Sequence, residues 1–419
     1  MLHPSAKSGR DRFKGLISRL TAAALYFLIG AAAPLWAQFS LDGLPVQVHG
    51  FLSQGFAYSN DNNYLTMDTS RGSFAFTDGG LAVTSQITDR FRVGAQAYVR
   101  EIGSLGHGHV TLDWALGDYR FTNWLGIRAG KVKTRLGLYN DIQDEEFLHT
   151  WALLPQSIYP TDLREVSIAH TGMDLYGDIS LKEAGSLAYT VYAGMTPQDK
   201  SGGYDYGLRD QNLVARKITG SQRGADLRWT TPAPGLLVGA SFLNAPIKSD
   251  GYYLPFGTPY NVKVFGDART EFYAQYTWRN LRIESEYSRE LLKVNSFAVL
   301  GPVGPPVIRT DYDRRAWYAA VAYRVSKHLE LGTYHSRFFP NANRADWPGG
   351  PLPPAARHIF DQVVTARVDL AKYWDFKVEG HFINGYGDPT SFRGFYPMDN
   401  PQGFKPYTNL LILRMGVNF

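Results

Sequence analysis

The sequence predicts an all-β protein, a single antiparallel barrel of sixteen strands that closes on itself across a membrane. Three observations predict it. From Val46 to the C-terminus, stretches of about ten residues alternate apolar and polar side chains, which is the two-residue period of a strand. The gaps between these stretches are alternately short and long. The chain also begins with a segment typical of an export signal.

The composition excludes several classes of site. The chain has 419 residues, of which 44% are hydrophobic, 14% aromatic and 19% charged, and it contains no Cys. Disulfides, thiolate metal sites and cysteine nucleophiles are therefore excluded. Neither a serine-hydrolase G-x-S-x-G, a metalloprotease H-E-x-x-H nor a Walker motif occurs. We expect no catalytic residue, no metal site and no cofactor, because His107 and His109 alone make an incomplete metal site.

Residues 1–37 read as a signal peptide. Five basic residues and one acid precede an apolar stretch at 20–33, which is shorter than the about 20 residues of a membrane helix. Ala37 before Gln38 suits cleavage, and the alternative is an uncleaved N-terminal anchor. Removing residues 1–37 leaves 38 basic (43 − 5) and 37 acidic (38 − 1) residues. The basic pI therefore comes mainly from the signal, and we expect no nucleic-acid partner.

Residues 38–419 form one predicted domain, the barrel. In the stretch from Phe91 to Arg100, the odd positions are mostly apolar and the even positions mostly polar. Sixteen such strands are predicted near 46–58, 72–86, 91–102, 108–121, 124–132, 165–181, 186–195, 219–231, 235–247, 266–278, 281–292, 311–325, 328–339, 358–370, 373–385 and 407–419. Several aromatic residues near strand ends (Trp114, Trp229, Trp278, Trp317 and Tyr323) suit the girdles of a membrane barrel.

The alternation of short and long gaps between the predicted strands favours a membrane barrel over a propeller or a soluble sandwich. Short gaps such as 279–280 and 371–372 alternate with long ones such as 133–164, 248–265 and 386–406. In outer-membrane barrels the periplasmic turns are short and the outer loops are long. An even number of strands also brings the first and last strands together, so that no sheet edge is left unpaired in lipid.

Sixteen strands are enough to leave a water-filled channel, so the inward face of the barrel should be polar. The alternation places the following residues on the lumen wall: Arg92, Arg100, Arg128, Arg282, Glu284, Glu286, Arg324, Arg367 and Arg414. The same face also carries Asp113, Arg228, Arg269, Glu271, Glu330, Lys377 and Glu379. Most of these charges are expected to pair with neighbours and support the wall.

The third long connection, residues 133–164, is unusual because much of it is hydrophobic. Leu138, Phe147, Trp151 and Leu154 are poor residues for a loop in solvent, so we expect the loop to fold inward and narrow the pore. Acids on the loop would then face basic residues across the gap. The predicted constriction residues are Lys131, Lys133, Arg135, Asp141, Asp144, Glu145 and Glu146. The alternative is a surface loop that packs against a neighbouring subunit.

With its signal peptide, strand rhythm, long third loop and terminal R-M-G-V-N-F, the chain resembles the sixteen-stranded porins of Gram-negative outer membranes. The segment R-A-G-K-V-K-T-R-L-G-L-Y-N (128–140) is similar to one in porin-like proteins, including phosphate-selective relatives. The resemblance implies passive diffusion of small hydrophilic solutes or ions, contact with outer-membrane lipid, a homotrimer, and an aromatic C-terminus, Phe419, read by the barrel-assembly machinery. Phosphate selectivity would require clustered Lys and Arg, which the near-equal charges do not match.

Two other classes of function stay open on the sequence alone. One is an outer-membrane enzyme with a filled interior, and the other is a non-conducting adhesion or scaffold barrel. His335 and Ser336 invite the first interpretation, but adjacent residues on a strand point to opposite faces and do not form a nucleophile and base pair. A diffusion channel is therefore the favoured prediction.

Overall fold

The protein is a closed barrel of sixteen antiparallel strands. We analysed a computed structural model, which describes residues 38–41, 44–196, 199–298, 307–343, 346–347, 350–388 and 393–419. The predicted signal peptide lies outside the described residues. The strands are β1 (Leu44–Ser59), β2 (Phe76–Thr88), β3 (Phe91–Ile102), β4 (Val110–Thr122), β5 (Leu125–Lys133), β6 (Ala169–Ser180), β7 (Ser186–Met195), β8 (Leu213–Thr230), β9 (Leu236–Asn244 continued by Ile247–Tyr253), β10 (Thr258–Trp278), β11 (Leu281–Ala298), β12 (Val307–Arg324), β13 (Leu329–Phe339), β14 (Ile359–Ala371), β15 (Trp374–Asn384) and β16 (Tyr407–Asn418).

Each strand pairs with its neighbours in the chain, and the last pairs with the first. In β16, Asn418 lies opposite Phe51 of β1 and Leu410 lies opposite Ser59. The backbone N–H of Phe419 donates to Gly50 O at 3.0 Å, which extends this seam to the C-terminus. The sheet therefore has no open edge between β1 and β16, as a spanning barrel requires.

The predicted strands agree with the observed strands except in the lengths of β8 to β12. These strands extend further towards the long loops than their alternation suggested. The connection predicted as a long loop at 248–265 is wrong, because β9 and β10 continue as a hairpin joined by residues 254–257. The connection between β11 and β12 shrinks to residues 299–306, which lie outside the described residues. We refer below to the turn end and the loop end of the barrel, after its short turns and long loops.

The two faces of the wall have the predicted chemistry. Outward positions carry exposed apolar side chains, among them Leu81, Val83, Leu112, Met173, Leu175, Val191, Phe272, Val364 and Phe382. Exposed aromatic residues gather near the turn end, at Trp124, Trp229, Trp278, Tyr323 and Tyr373. Trp114, predicted as a girdle residue, instead lines an interior cavity, because a bulge in the pairing of β3 with β4 shifts its register. An apolar band with aromatic residues near one rim suits lipid contact.

The connections at the loop end contain the few helices. They are α1 (Arg164–Ser167), α2 (Gly203–Asp210) and short 3-10 turns at Thr69–Arg71, Asn140–Ile142, Glu146–Leu148, Thr161–Leu163, Pro354–Arg357 and Pro397–Asp399. A further 3-10 turn, Lys182–Ala184, lies at the turn end, and Asp346–Trp347 pairs with Gly350–Pro351. No helix in the described part of the chain is long and apolar enough to cross a membrane.

Glycine permits a close backbone approach at the turn end of β6. A Cβ atom added at Gly177 would lie 2.0 Å from the carbonyl oxygen of Trp124, whereas one added at Gly380 in β15 has its nearest neighbour at 3.7 Å. We expect Gly177→Ala to destabilise the barrel by about 1–3 kcal/mol through overpacking. The urea midpoint of unfolding from lipid vesicles measures this, with Gly380→Ala as the matched control. Equal midpoints for the two variants would contradict the steric argument.

Candidate functional site

The long connection between β5 and β6, residues 134–168, lies inside the barrel, and we call it the inner loop. Its apolar side chains are buried, including Leu136, Leu138, Tyr139, Trp151, Leu153, Leu154, Ile158 and Tyr159. Several of them share one hydrophobic cluster with wall residues Tyr318, Tyr334, Phe338 and Ile412. The hydrophobic composition of the loop is thus explained by packing against the inner wall rather than by a surface contact.

Basic wall residues hold the carbonyl groups of the inner loop. Arg414 donates to Ala152 O at 2.7 Å, Arg269 to Ile158 O at 2.7 Å and Arg228 to Gly137 O at 2.9 Å. Four further hydrogen bonds follow the same pattern: Arg367 donates to Phe147 O and His149 O, Arg100 to Thr161 O, and Lys377 to Glu146 O. A loop without a sheet ladder has unpaired carbonyls, and these side chains satisfy them.

Acidic wall residues hold the donors of the same loop. Glu379 accepts the backbone N–H groups of Ala152 and Leu153, both at 2.9 Å. Glu286 accepts Leu138 N–H at 3.0 Å and the Tyr159 hydroxyl at 2.6 Å. Glu284 accepts Trp151 Nε1–H and the Tyr139 hydroxyl, and Glu330 accepts the Thr150 hydroxyl. The wall carboxylates therefore fix the loop rather than face open water.

Four charged residues meet where the inner loop leaves and rejoins the wall. Arg164 contacts Asp144 and Asp113, both at 2.5 Å, and Lys133 contacts the same two carboxylates at 2.7 Å. Burial opposes ionisation of Asp144, but the charges of Arg164 and Lys133 outweigh it and hold its pKa below the usual range. This cluster ties the two ends of the loop together. Arg164 was not among the predicted constriction residues, although it ends the predicted loop.

The other predicted constriction residues have different surroundings. Glu146 is buried in an ion pair with Lys377 of β15, and Arg135 pairs with Asp141 at 3.2 Å. Burial raises the pKa of Glu145 above its ordinary value. Asp141, Asp144 and Glu146 touch basic partners directly, so at these residues contact ion pairs take the place of the predicted field across a water gap.

Lys131 does not face the lumen, contrary to its predicted placement. It lies between Ala115 and Thr171 in the pairing of β5 with β4 and β6, and its Nζ donates to the carbonyl oxygen of Leu112. Leu112 and Met173 on the same side are exposed outward-facing residues. The alternation of β5 places Arg128 inward, and therefore turns Lys131 outward three positions later.

The predicted wall residues divide by position along the barrel. Arg92, Arg128, Arg282 and Arg324 lie near the turn end, and their side chains remain 50%, 24%, 28% and 32% exposed. Arg100, Glu284, Glu286, Arg367 and Arg414 lie further in and are largely covered by the inner loop. The loop thus separates an arginine-lined vestibule at the turn end from a chamber at the loop end.

Among the cavities lined by described residues, three adjoin the inner loop. One of about 290 Å³ lies between the loop and strands β2 to β5, and its lining includes Arg92, Arg128, Lys133, Arg135 and Asp141. A second of about 40 Å³ lies between the loop and Phe76, Tyr98 and Arg414. The third, of about 420 Å³, lies in the loop-end chamber. The first cavity is predominantly basic.

Known structures share this architecture. OmpT, an outer-membrane protein of Vibrio cholerae, matches 91% of this chain and 99% of its own with a TM-score of 0.56 at 11% sequence identity. OmpF of Salmonella typhi, in complex with daunomycin, matches 91% of this chain and all of its own with a TM-score of 0.55 at 10% identity. The outer-membrane channel DcaP of Acinetobacter baumannii matches 92% and 100%, with a TM-score of 0.53 at 12% identity.

The chain has the outer-membrane porin fold. No protein-family model and no curated protein matches the sequence. The similarity of the backbones therefore establishes the porin fold, whereas the residues of the inner surface are described from this chain alone. In this porin fold, Ser336 is buried on the inner side of β13, and His335 contacts Arg337 on the other face. The two residues do not pair, as the alternation predicts.

Residues that the sequence analysis missed lie in the loop-end halves of β9 to β12. Inward positions there carry apolar side chains at Leu243, Ile247, Val262, Val264, Leu292 and Val294. Val262, Val264 and Val294 lie in stretches predicted as loops, so their faces were not assigned, whereas Leu243, Ile247 and Leu292 lie within predicted strands. The alternation of Val262 and Val264 with Lys263 and Phe265 was the signal that would have extended β10.

The hydrogen bonds to Glu379 make the fixation of the inner loop testable. We expect Glu379→Leu to speed hydrogen exchange at Ala152 and Leu153 by about tenfold or more, since a hydrogen bond to a charged group contributes about 1.5–3 kcal/mol. Glu183→Leu, in the exposed turn between β6 and β7, is the matched control and should leave these amides unchanged. Unaltered exchange in Glu379→Leu would show that the carboxylate does not fix the loop.

A second contact at the loop end depends on pH. Burial raises the pKa of Asp399 to about 6, and Tyr206 of α2 donates to its Oδ1 at 2.6 Å. Because the pKa is higher in the folded loop than its ordinary value of about 3.9, this group contributes its full stability below about pH 4 and loses it as pH rises through about 6. We expect the protection factors of the α2 amides, which correct for the pH dependence of intrinsic exchange, to be higher at pH 5 than at pH 7.5. Asp399→Asn should remove the difference, and equal protection in the wild type would contradict it.

Proposed function

We propose that the protein is an outer-membrane channel for small polar solutes or ions, restricted by the inner loop. The porin fold supports an outer-membrane location and a channel architecture. The apolar outward face suits outer-membrane lipid. The observation that carries the proposal is the cavity of about 290 Å³ beside β2 to β5, which adjoins the exposed arginines of the turn-end vestibule.

The charge around this cavity favours anions. Arg92 and Arg128 share a single carboxylate, Asp118, at 3.1 and 3.4 Å, and Arg135 pairs with Asp141. Two guanidinium groups on one carboxylate leave an excess positive charge beside the cavity. A wall of basic side chains at a narrow zone sets which ions enter. We therefore propose passage between the inner loop and this wall, with a preference for small anions.

The contacts of the inner loop favour a second candidate, a barrel that does not conduct. The wall residues that contact the inner loop lie on most of the strands, namely β3, β4, β8, β10, β11 and β13 to β16. An adhesion or scaffold barrel, or an enzyme acting on its rim, would need no open lumen. We place no catalytic residue, metal or cofactor in the proposed channel.

The proposed oligomeric state also rests on similarity to known structures. One structure of OmpT from Vibrio cholerae is a trimer form and matches 89% of this chain with a TM-score of 0.52 at 12% identity. We propose a homotrimer, with Phe419 read by the barrel-assembly machinery. The proposed passage lies within one barrel and does not depend on the number of copies.

Planar-bilayer recording tests the channel. We expect stepwise current from the purified protein and a reversal potential in a KCl gradient that favours chloride. Arg92→Gln should lower the chloride-to-potassium permeability ratio by about twofold, because a unit charge about 8 Å from an ion in water contributes about 0.5 kcal/mol. Arg279→Gln, in the exposed turn between β10 and β11, removes the same charge outside the lumen and should have no such effect. Absence of current in the wild type would support the non-conducting candidate.

A further inference from the structure

The loop-end chamber holds a cavity with an apolar wall, which is unusual for the inside of a water-filled barrel. Its volume is about 420 Å³, within the range of about 300–1,000 Å³ of small-molecule sites. Its apolar lining includes Leu243, Ile247, Val262, Val264, Leu292 and Val294. Polar lumens are the rule in barrels of this size, so an apolar wall is suited to binding an apolar group.

The strands create this wall by changing chemistry along one face. In β11 the inward positions pass from Glu284, Glu286 and Glu290 to Leu292 and Val294. In β10 a bulge between Val264 and Gly266 shifts the pairing with β11. The inner face therefore becomes apolar at the level where the inner loop ends.

Two connections complete the cavity. Leu163 and Val166 of the inner loop and Tyr204 and Leu208 of α2 line it. These side chains belong to one cluster with Ile218, so the apolar enclosure is continuous from the wall to the loops. A site built from buried side chains on strands and packed loops is largely formed before a ligand enters.

Asp267 supplies one carboxyl group to this cavity. Its backbone carbonyl accepts Ala245 N–H at 3.1 Å and Asn244 Nδ2–H at 2.6 Å. Within the part of the chain that the structure describes, its carboxylate makes no hydrogen bond and no ion pair. A partly buried carboxylate needs a donor, and a ligand with a donor meets that need.

The other charged groups near Asp267 have partners of their own. Glu290 pairs with Arg314 at 3.3 Å. Arg269 pairs with Glu271 and donates to Ile158 O of the inner loop. Arg393 also lines the cavity, with its guanidinium 4.5 Å from the ring centroid of Phe338. These arginines make an anionic ligand the competing possibility.

We propose that the loop-end chamber is a binding site for an amphipathic amine. The apolar body of the ligand lies against Val262, Val264 and Leu292, and its protonated amine donates to the carboxylate of Asp267. Burial of the apolar body drives binding through the hydrophobic effect, and the charged hydrogen bond fixes the orientation. The site goes beyond the channel function and does not depend on whether the barrel conducts.

Two fluorescent probes with one body and opposite head groups test the site. Dansylcadaverine ends in an amine, and dansyl-6-aminohexanoic acid ends in a carboxylate. With the full barrel in lipid nanodiscs at pH 7, fluorescence anisotropy against empty nanodiscs measures binding. We expect the amine to bind about tenfold or more tightly than the acid. Equal binding, tighter binding of the acid, or no binding beyond empty nanodiscs overturns the proposal.

Variants separate the carboxylate from the apolar wall. Asp267→Asn keeps the size of the side chain and should weaken the amine about tenfold while leaving the acid unchanged or tighter. Val264→Trp should reduce binding of both probes by filling the cavity. Asp311→Asn is the control, because Asp311 lies on β12 in a half-exposed pair with Arg309 and does not line the cavity. If Asp267→Asn leaves the affinity for the amine unchanged, the proposal fails. Heat-modifiable migration on a gel confirms that each variant is folded.

Discussion

A long loop can be buried inside a barrel only if its backbone polar groups find hydrogen-bond partners. The rest of the structure depends on this constraint. The inner loop has only short 3-10 turns and α1, so most of its N–H and C=O groups lack internal partners. Glutamates on the wall accept its donors, and arginines and a lysine donate to its carbonyls. An uncharged wall of similar shape would leave these groups unpaired at a cost of about 1–3 kcal/mol each. The near-equal numbers of acidic and basic residues in 38–419 thus match the two needs of this loop, donors for its carbonyls and acceptors for its N–H groups.

This fixation divides the lumen. Towards the turn end, beneath the loop, Arg92, Arg128, Arg282 and Arg324 remain in contact with water. Towards the loop end, the wall is apolar and lined by Val262 and Leu292. The two compartments have different chemistry because only the middle of the wall has to hold the loop. The loop-end chamber combines this apolar wall with a few charged residues, among them Asp267 and Arg393.

Much of the fold could be predicted because alternation is a local property. The inward face of β3, from Arg92 to Arg100, can be predicted from ten consecutive residues. The aromatic C-terminal residue, Phe419, is likewise seen directly in the sequence. The inward path of the inner loop also followed from its hydrophobic residues. The partners of its charges did not, because the contact between Glu146 and Lys377 joins residues 231 positions apart. Lys131 was misplaced because it was grouped with Lys133 and Arg135 at the entrance of the loop, although it lies within β5, where alternation from Arg128 turns it outward.

The number of wall partners also bears on how a solute would pass. Breaking a single buried ion pair by removing one partner typically costs about 3–5 kcal/mol, and the inner loop has pairs at Arg164 with Asp144 and at Lys377 with Glu146 besides its many hydrogen bonds. Withdrawal of the whole loop would break these contacts together, which exceeds what a small permeating ion supplies. Salt would weaken the network little, since buried pairs are poorly screened. We therefore expect any passage to run beside a fixed loop, past Arg92 and Arg128, rather than through a gap that opens when the loop moves.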